Sequence, residues 1–348
     1  MAEFSLEQVQ NVANSVLDFY MKKGTPLDQH IQDKPLLSRM RKRQQSIPGG
    51  KGRVEMAVVM ETVSQLEPFE YDDTVTYSSP AKNRRVSAPY RLFHIGTQVT
   101  MHELLHDGIT VTDSTTGKNK TEVSKRDAIS LWNIFDQKMR DQNEGFDSGL
   151  NRRYWLDGSQ GSLEFPGILA WVVDNPAAAT LVGGIDQAAN AKWRNRADLA
   201  ITLGDTTGAS QAVLRKLDVE LPQLRRFGGK PSVGLAGSDM IDRLKAERRA
   251  KSDYSHTGVR GKQDLAAGEV EFDGIQIFYD PTLDDLGYAK RLYLLDESEM
   301  YPFVVDGEDK KKHTPARPED KYTFYSAYTW VGGLIFRRRN GCGVYAFA

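Results

Sequence analysis

His102-Glu103-Leu104-Leu105-His106 matches the HExxH pattern letter for letter. On a helix the two histidines, four residues apart, would share a face and bind zinc, with Glu103 as the general base that activates water. The surroundings argue against that chemistry. Gln98-Val99-Thr100 precedes and Gly108-Ile109-Thr110-Val111-Thr112 follows, so a helix here has barely two turns between β-rich flanks. The extended pattern wants Gly three residues beyond the second histidine and finds Ile109, and Glu122, a possible third ligand, lies past a DSTTGKNK turn. A zinc site on His102, Glu103 and His106 is therefore rejected.

Other chemistry-bearing groups fail on spacing. A phosphate-binding loop needs Gly five residues before the Gly of Gly-Lys, so that backbone N–H groups can ring a phosphate. The Gly-Lys pairs at Gly50, Gly117, Gly229 and Gly261 have Gln45, Thr112, Leu224 and His256 there. No G-x-S-x-G and no G-x-G-x-x-G occurs. Asp280, Asp284 and Asp285, and Asp296, Glu297 and Glu299, could hold a cation, but such groups are ordinary on solvated loops. Arg337-Arg338-Arg339 reads as part of a strand, where successive residues face opposite ways and cannot form one patch. Arg39, Arg41, Lys42 and Arg43 read as a solvated face, with an acidic partner surface as the alternative. The sequence predicts no catalytic residue, no cofactor and no metal.

Composition points the same way. Of 348 residues 39% are hydrophobic and 27% charged, as in an ordinary globular protein of one large domain or two to three small ones. Forty-six basic against 47 acidic side chains leave a net charge of −1, which argues against a dedicated nucleic-acid binder. One cysteine, Cys342, excludes an internal disulfide framework and suits a reducing compartment. The start MAEFSLEQV has no signal-peptide pattern, and no apolar run approaches the roughly 20 residues of a membrane span, so synthesis in the cytoplasm is expected.

Several elements are legible. Ile129, Trp132, Phe135, Met139 and Phe146 recur at three, four or seven and predict one amphipathic helix over 124–146, opened by Ser124 and Asp127 and closed by Gly145 and Gly149. It would be about 33 Å long, a rod on which other elements can lie. Leu6, Val9, Val12, Val16, Phe19 and Tyr20 predict a shorter helix over 5–22. Strands are predicted at 52–61 and 85–96, the second placing Val86, Ala88, Tyr90 and Leu92 on one face. The connecting residues are mostly polar, so this hairpin cannot bury a core of its own and should project, stabilised by a neighbouring subunit. Farther on come a helix near 210–219 stopped by Pro222, a strand in PSVGLAG, a helix from Ser238, a β-pair in EVEFDGIQIFYDP and RLYLLD, and a strand-rich end. Helices beside strands without regular βαβ alternation indicate α+β.

The order of these elements resembles the major capsid protein family of tailed bacteriophages, whose icosahedral shell fold is shared with encapsulins. Local stretches are similar too: Pro35-Leu36-Leu37 before Pro48-Gly49-Gly50-Lys51-Gly52, Leu181-Val182-Gly183-Gly184-Ile185-Asp186 with Trp193-Arg194-Asn195, Phe272-Asp273-Gly274-Ile275 before Asp280-Pro281, and Gly332-Gly333-Leu334 with Arg337-Arg338. The resemblance implies an N-terminal arm (1–49), an extended β-hairpin loop (50–95), a peripheral domain (96–201) with the spine helix 124–146, an axial domain (202–320), and terminal strands (321–348) returning to the peripheral domain. It implies a non-enzymatic subunit of the virion that assembles into hexamers and pentamers around double-stranded DNA held without sequence-specific binding. The spine helix would turn its apolar stripe to a sheet of its own chain, and Lys125, Asp141 and Glu144 to a surface of the wall. Implied partners are other copies of the chain, a separate scaffolding protein, a portal protein and a candidate decoration protein, with no membrane. Residues expected at contacts between subunits are Tyr71, Asp72, Asp73, Lys82, Arg84 and Arg85. Lys82 and Asn83 by themselves do not indicate a covalent cross-link. An encapsulin-like nanocompartment shell and a zinc metallopeptidase are the competing readings.

Overall fold

A long helix crossing a five-stranded sheet organises the molecule. The computed structural model describes residues 31–50, 52–60, 66–74, 77, 83–100, 125–205, 207–252, 270–313 and 323–348, without the side chains of 125–137 and a few others. The HExxH residues, Glu122, Lys82 and the expected helix over 5–22 lie outside them. In chain order the elements are α1 (Pro35–Arg43), β1 (Gln45–Ile47), β2 (Arg53–Val59), β3 (Asn83–Pro89), β4 (Arg91–Thr100), α2 (Lys125–Trp155), α3 (Ile168–Trp171), β5 (Leu181–Val182), β6 (Ile185–Asp186), β7 (Arg196–Ile201), α4 (Ala212–Arg225), β8 (Val233–Ala236), α5 (Ser238–Ser252), β9 (Val270–Phe272), β10 (Ile275–Tyr279), α6 (Pro281–Asp285), β11 (Arg291–Leu295), β12 (Met300–Val305), β13 (Lys311–His313), β14 (Thr323–Phe336) and β15 (Gly343–Phe347). The fold is α+β.

In the first sheet β14 is the axis. Its whole N-terminal stretch pairs antiparallel with β4, Thr323 opposite Thr100 through Gly332 opposite Arg91. Its other edge takes β13 and then β12, to which β1 adds in parallel. The second sheet has the order β7-β15-β11-β8-β10-β9. The last two strands therefore separate, β14 into the first sheet and β15 between β7 and β11 of the second. Helices α4 and α5 cover the second sheet, burying Val213, Leu217, Leu221, Leu224, Met240 and Leu244 against Ile277, Leu292 and Leu294.

The spine helix runs nine residues beyond the expected Phe146. Gly145 and Gly149 do not stop it, although glycine inside a helix costs about 1 kcal/mol relative to alanine. The apolar stripe continues through Phe146, Leu150, Tyr154 and Trp155, all buried, and each large side chain contributes about 1.5–3 kcal/mol. Gly145 also lets β4 come close, since a Cβ there would stand 3.3 Å from Ile95 Cδ1. The described part of this helix face lies on the chain's own sheet: Met139 Sδ is 3.7 Å from Ser326 Oγ, and Gln142 Nε2 donates to the carbonyls of Ile95 (3.1 Å) and Ser326 (3.3 Å). Asp141 is exposed, whereas Glu144 is drawn into an ion pair with Lys34 of the segment before α1.

Other expectations need correction. The strand expected at 85–96 is two strands broken at Tyr90: β3 pairs with β2, and β4 leaves for β14. The break reverses the faces, so Val86 and Ala88 are buried while Leu92 is 72% exposed and Phe93 and Ile95 turn inward. Pro222 does not stop α4, which continues to Arg225. Losing one N–H donor there costs up to about 3 kcal/mol, and it is offset because Leu221 and Leu224 on either side are buried while Pro222 itself faces solvent. The basic cluster on α1 has acidic partners within the chain, Arg39 on Glu297 at 2.7 Å and Arg41 on Asp147 at 2.5 Å, and α1 buries Leu36, Leu37 and Met40 in the main core.

Candidate assembly surface

Strands β2 and β3 form an antiparallel ladder from Arg53 opposite Pro89 to Val59 opposite Asn83. Alternation decides which face docks. Val86 and Ala88 of β3 are fully buried, and Val54, Met56 and Val58 of β2 lie against the same core. The base is clasped by the β5–β6 turn, where Ser87 N donates to Gly183 O at 2.9 Å. Gly183 has φ +61, and a Cβ there would meet the Trp171 ring at 2.7 Å and Val86 Cγ1 at 2.8 Å. Only glycine supplies both the left-handed backbone and the close approach.

The segment joining the two strands is a different surface. Leu66, Tyr71 and Tyr77 are essentially fully exposed and Phe69 is 68% exposed, as is Val59 at the end of β2. Asp73 closes a local turn, accepting from Glu70 N at 3.1 Å and donating its own N–H to Glu70 O. This turn presents Tyr71 and Asp72 outward. Arg84 and Arg85 are both exposed on β3; Arg85 Nη1 stands 3.5 Å from Glu55, which is engaged at 2.8 Å by Arg53 Nε. Pairs this exposed contribute at most about 1 kcal/mol, so the arginines keep most of their capacity for an outside partner. The expected contact residues Tyr71, Asp72, Asp73, Arg84 and Arg85 are thus all exposed, on β3 or between β2 and β3. Leu66, Phe69 and Tyr77 were not foreseen, because polar residues dominate this segment and hide its apolar minority.

The remaining candidates are structural. Asp280 is buried, where it accepts from Trp155 Nε1 at 2.9 Å and caps α6 through Thr282 N at 3.0 Å. Burial raises its pKa, outweighing these hydrogen bonds. Asp296 is buried too, binding Lys230 N (2.8 Å) and Ser298 N (3.1 Å). Among the described residues no group of three potential metal ligands comes together. Arg337-Arg338-Arg339 lies just past β14 and is not a strand. Arg339 turns fully inward, donating to the carbonyl of Trp171 at 2.5 Å and to Asn195 Oδ1 at 2.9 Å. Desolvation lowers its pKa to about 10. No described helix is long and apolar enough to cross a membrane.

No family model and no curated protein matches the sequence. Solved structures do match, across almost the whole chain. The capsid asymmetric unit of cyanophage A-1(L) aligns over 92% of this chain and 94% of its own, with a TM-score of 0.60 at 14% identity. The capsid of Myoviridae phage XM1 aligns over 93% and 95%, with a TM-score of 0.59 at 11% identity. The fold is that of a phage capsid protein. The capsid of cyanophage P-SCSP1u agrees, at TM-score 0.56 and 10% identity over 96% of this chain and 94% of that one. Within this capsid fold, the hairpin of β2 and β3 is a part of the chain's own architecture, docked at its base and carrying its aromatic side chains into solvent.

Proposed function

We propose that the chain is the major capsid protein of a tailed double-stranded DNA bacteriophage, a shell subunit that assembles with copies of itself into hexamers and pentamers. The observation that carries this reading is the hairpin: its base is fastened into the core, while Leu66, Phe69, Tyr71 and Tyr77 stand in solvent on a fold that aligns end to end with capsid subunits. Four large apolar side chains exposed within one short segment of a single chain favour a contact with another molecule. Another copy of the chain satisfies them, with Arg84 and Arg85 as polar flanks. Many such contacts, each modest, add up over a closed lattice. In this reading residues 50–95 are the extended loop, 96–201 the peripheral domain, 202–320 the axial domain, and a scaffolding protein and a portal act during assembly. The work of the chain is mechanical, and it needs no cofactor.

The test is expression with the phage's scaffolding protein followed by electron microscopy. Closed shells are expected from the full chain, and a folded, soluble subunit without shells from deletion of residues 64–82. A chain that stays monomeric in both cases overturns the reading. Shells filled with a cargo enzyme and free of nucleic acid would reassign it to a nanocompartment.

A further inference from the structure

A band of basic side chains crosses several elements distant in sequence, with no role in the hairpin. Lys42 and Arg43 are exposed at the end of α1, whose Arg39 reaches the 297–299 turn through Glu297. On the other side of that turn Arg337 N donates to Glu299 O at 3.1 Å, and Arg338 Nη1 stands 3.8 Å from the Glu299 carboxylate. Arg338 also donates to the carbonyl of Gly228, which brings in the loop after α4 with exposed Arg226, Phe227 and Lys230. The loops meet closely enough that a Cβ on Gly229 would lie 2.5 Å from Gly341 Cα. Arg226 is held over the Phe227 ring at 5.3 Å. Seven basic residues, Arg39, Lys42, Arg43, Arg226, Lys230, Arg337 and Arg338, therefore lie on these joined elements; Glu297 and Glu299 pair with two of them, and Asp147, Asp273 and Asp309 engage the neighbouring Arg41, Arg225 and Gln44.

We infer that this band is the surface that holds the phosphodiester backbone of double-stranded DNA inside the shell. The inference rests on the capsid reading and adds which face meets the nucleic acid. The chemistry favours phosphate. Guanidinium and ammonium groups carried on turns and a helix end offer several donors to phosphate oxygens, contacts that position a duplex without reading its sequence. Glu297 and Glu299 hold Arg39 and Arg338 in place and moderate the field. The expected binding is weak, sequence-independent and salt-sensitive, which lets DNA slide while it is packed.

The test titrates the unassembled full chain with short fluorescein-labelled duplex DNA of mixed sequence at several salt concentrations. The band variant R226A/K230A/R337A is compared with R152A/K192A/R215A, which removes three exposed charges elsewhere. The band variant should bind roughly tenfold or more weakly and lower the slope of log affinity against log salt by about 2.7, or about 0.9 for each phosphate left unneutralised. The control variant should bind like the natural chain, and both should keep its melting temperature. Equal weakening in both variants, or no DNA binding by the natural chain, overturns the inference. Tighter binding to polyglutamate than to DNA overturns it in favour of an acidic protein partner. Shell formation is scored separately by microscopy, so failure of the capsid reading shows in the particles and failure of the DNA face shows in the titration.

Discussion

Trp155 Nε1 and Asp280 Oδ2, 125 positions apart in the sequence, are joined by a hydrogen bond of 2.9 Å. Trp155 is the last residue of the spine helix and Asp280 follows β10, so the bond ties the rod to the second sheet. One turn earlier Asn151 reinforces the joint, accepting from Leu37 N at 3.1 Å and donating to Thr282 Oγ1 at 2.7 Å. α1, α2 and α6 meet at two side chains, both hydrogen-bonded and both inside the core.

Trp155→Phe keeps the ring packed against Tyr293, whose centroid lies 5.2 Å away, and removes the donor. A buried carboxylate short of one partner should lower unfolding stability by about 1–3 kcal/mol, measured in urea. The pH dependence has a definite sign. Burial raises the folded pKa of Asp280, so the folded state holds the proton more tightly and this group makes stability fall as pH rises from the usual carboxylate value through the raised one. Asp280→Asn should remove that part of the stability profile; an unchanged profile in the variant would refute the assignment.

Gly183→Ala should loosen the base of the hairpin. The added methyl meets both Trp171 and Val86 at 2.7–2.8 Å, and the left-handed backbone alone costs about 1–2 kcal/mol for a residue with a Cβ. The expected result is a lower melting temperature with faster hydrogen exchange at the Ser87 amide, which donates to Gly183 O. Normal protection of that amide would show that the clasp does not depend on glycine.

Arg339 is held in the core by neutral acceptors. Arg339→Ala leaves the carbonyl of Trp171 without its donor, takes one of two donors from Asn195 Oδ1, which keeps Val173 N at 3.3 Å, and opens a cavity; a destabilisation of about 3–5 kcal/mol is expected. Arg339→Met fills most of the volume and should be clearly less destabilised in thermal unfolding. Equal destabilisation would make the hydrogen bonds, not the packing, the whole effect.

The elements that turned out as read were those whose signal is local. The period of the spine helix, the alternation of Val54, Met56 and Val58, the buried run Val233–Ala236 and the start of α5 at Ser238 all depend on neighbours within a few residues. Their order along the chain was enough for the capsid resemblance. Of the residues expected at contacts between subunits, Tyr71, Asp72, Arg84 and Arg85 are exposed, whereas the exposure of Leu66, Phe69 and Tyr77 needed the structure, since an apolar residue in a polar segment is normally expected to find cover.

By itself the sequence determined the α+β class, the amphipathic rod and the hairpin whose polar connecting segment cannot bury a core of its own. Tertiary structure decided where elements end and which charges go inside. Gly145, Gly149 and Pro222 are local stop signals worth about 1–3 kcal/mol each. Burial of Tyr154, Trp155 and Leu224 by partners far along the chain outweighs them. Arg339 differs from Arg337 and Arg338 only in what lies around it, a carbonyl from Trp171 and an amide from Asn195. No pattern within an arginine triplet carries that information, because the partners that stabilise its burial are 168 and 144 residues away.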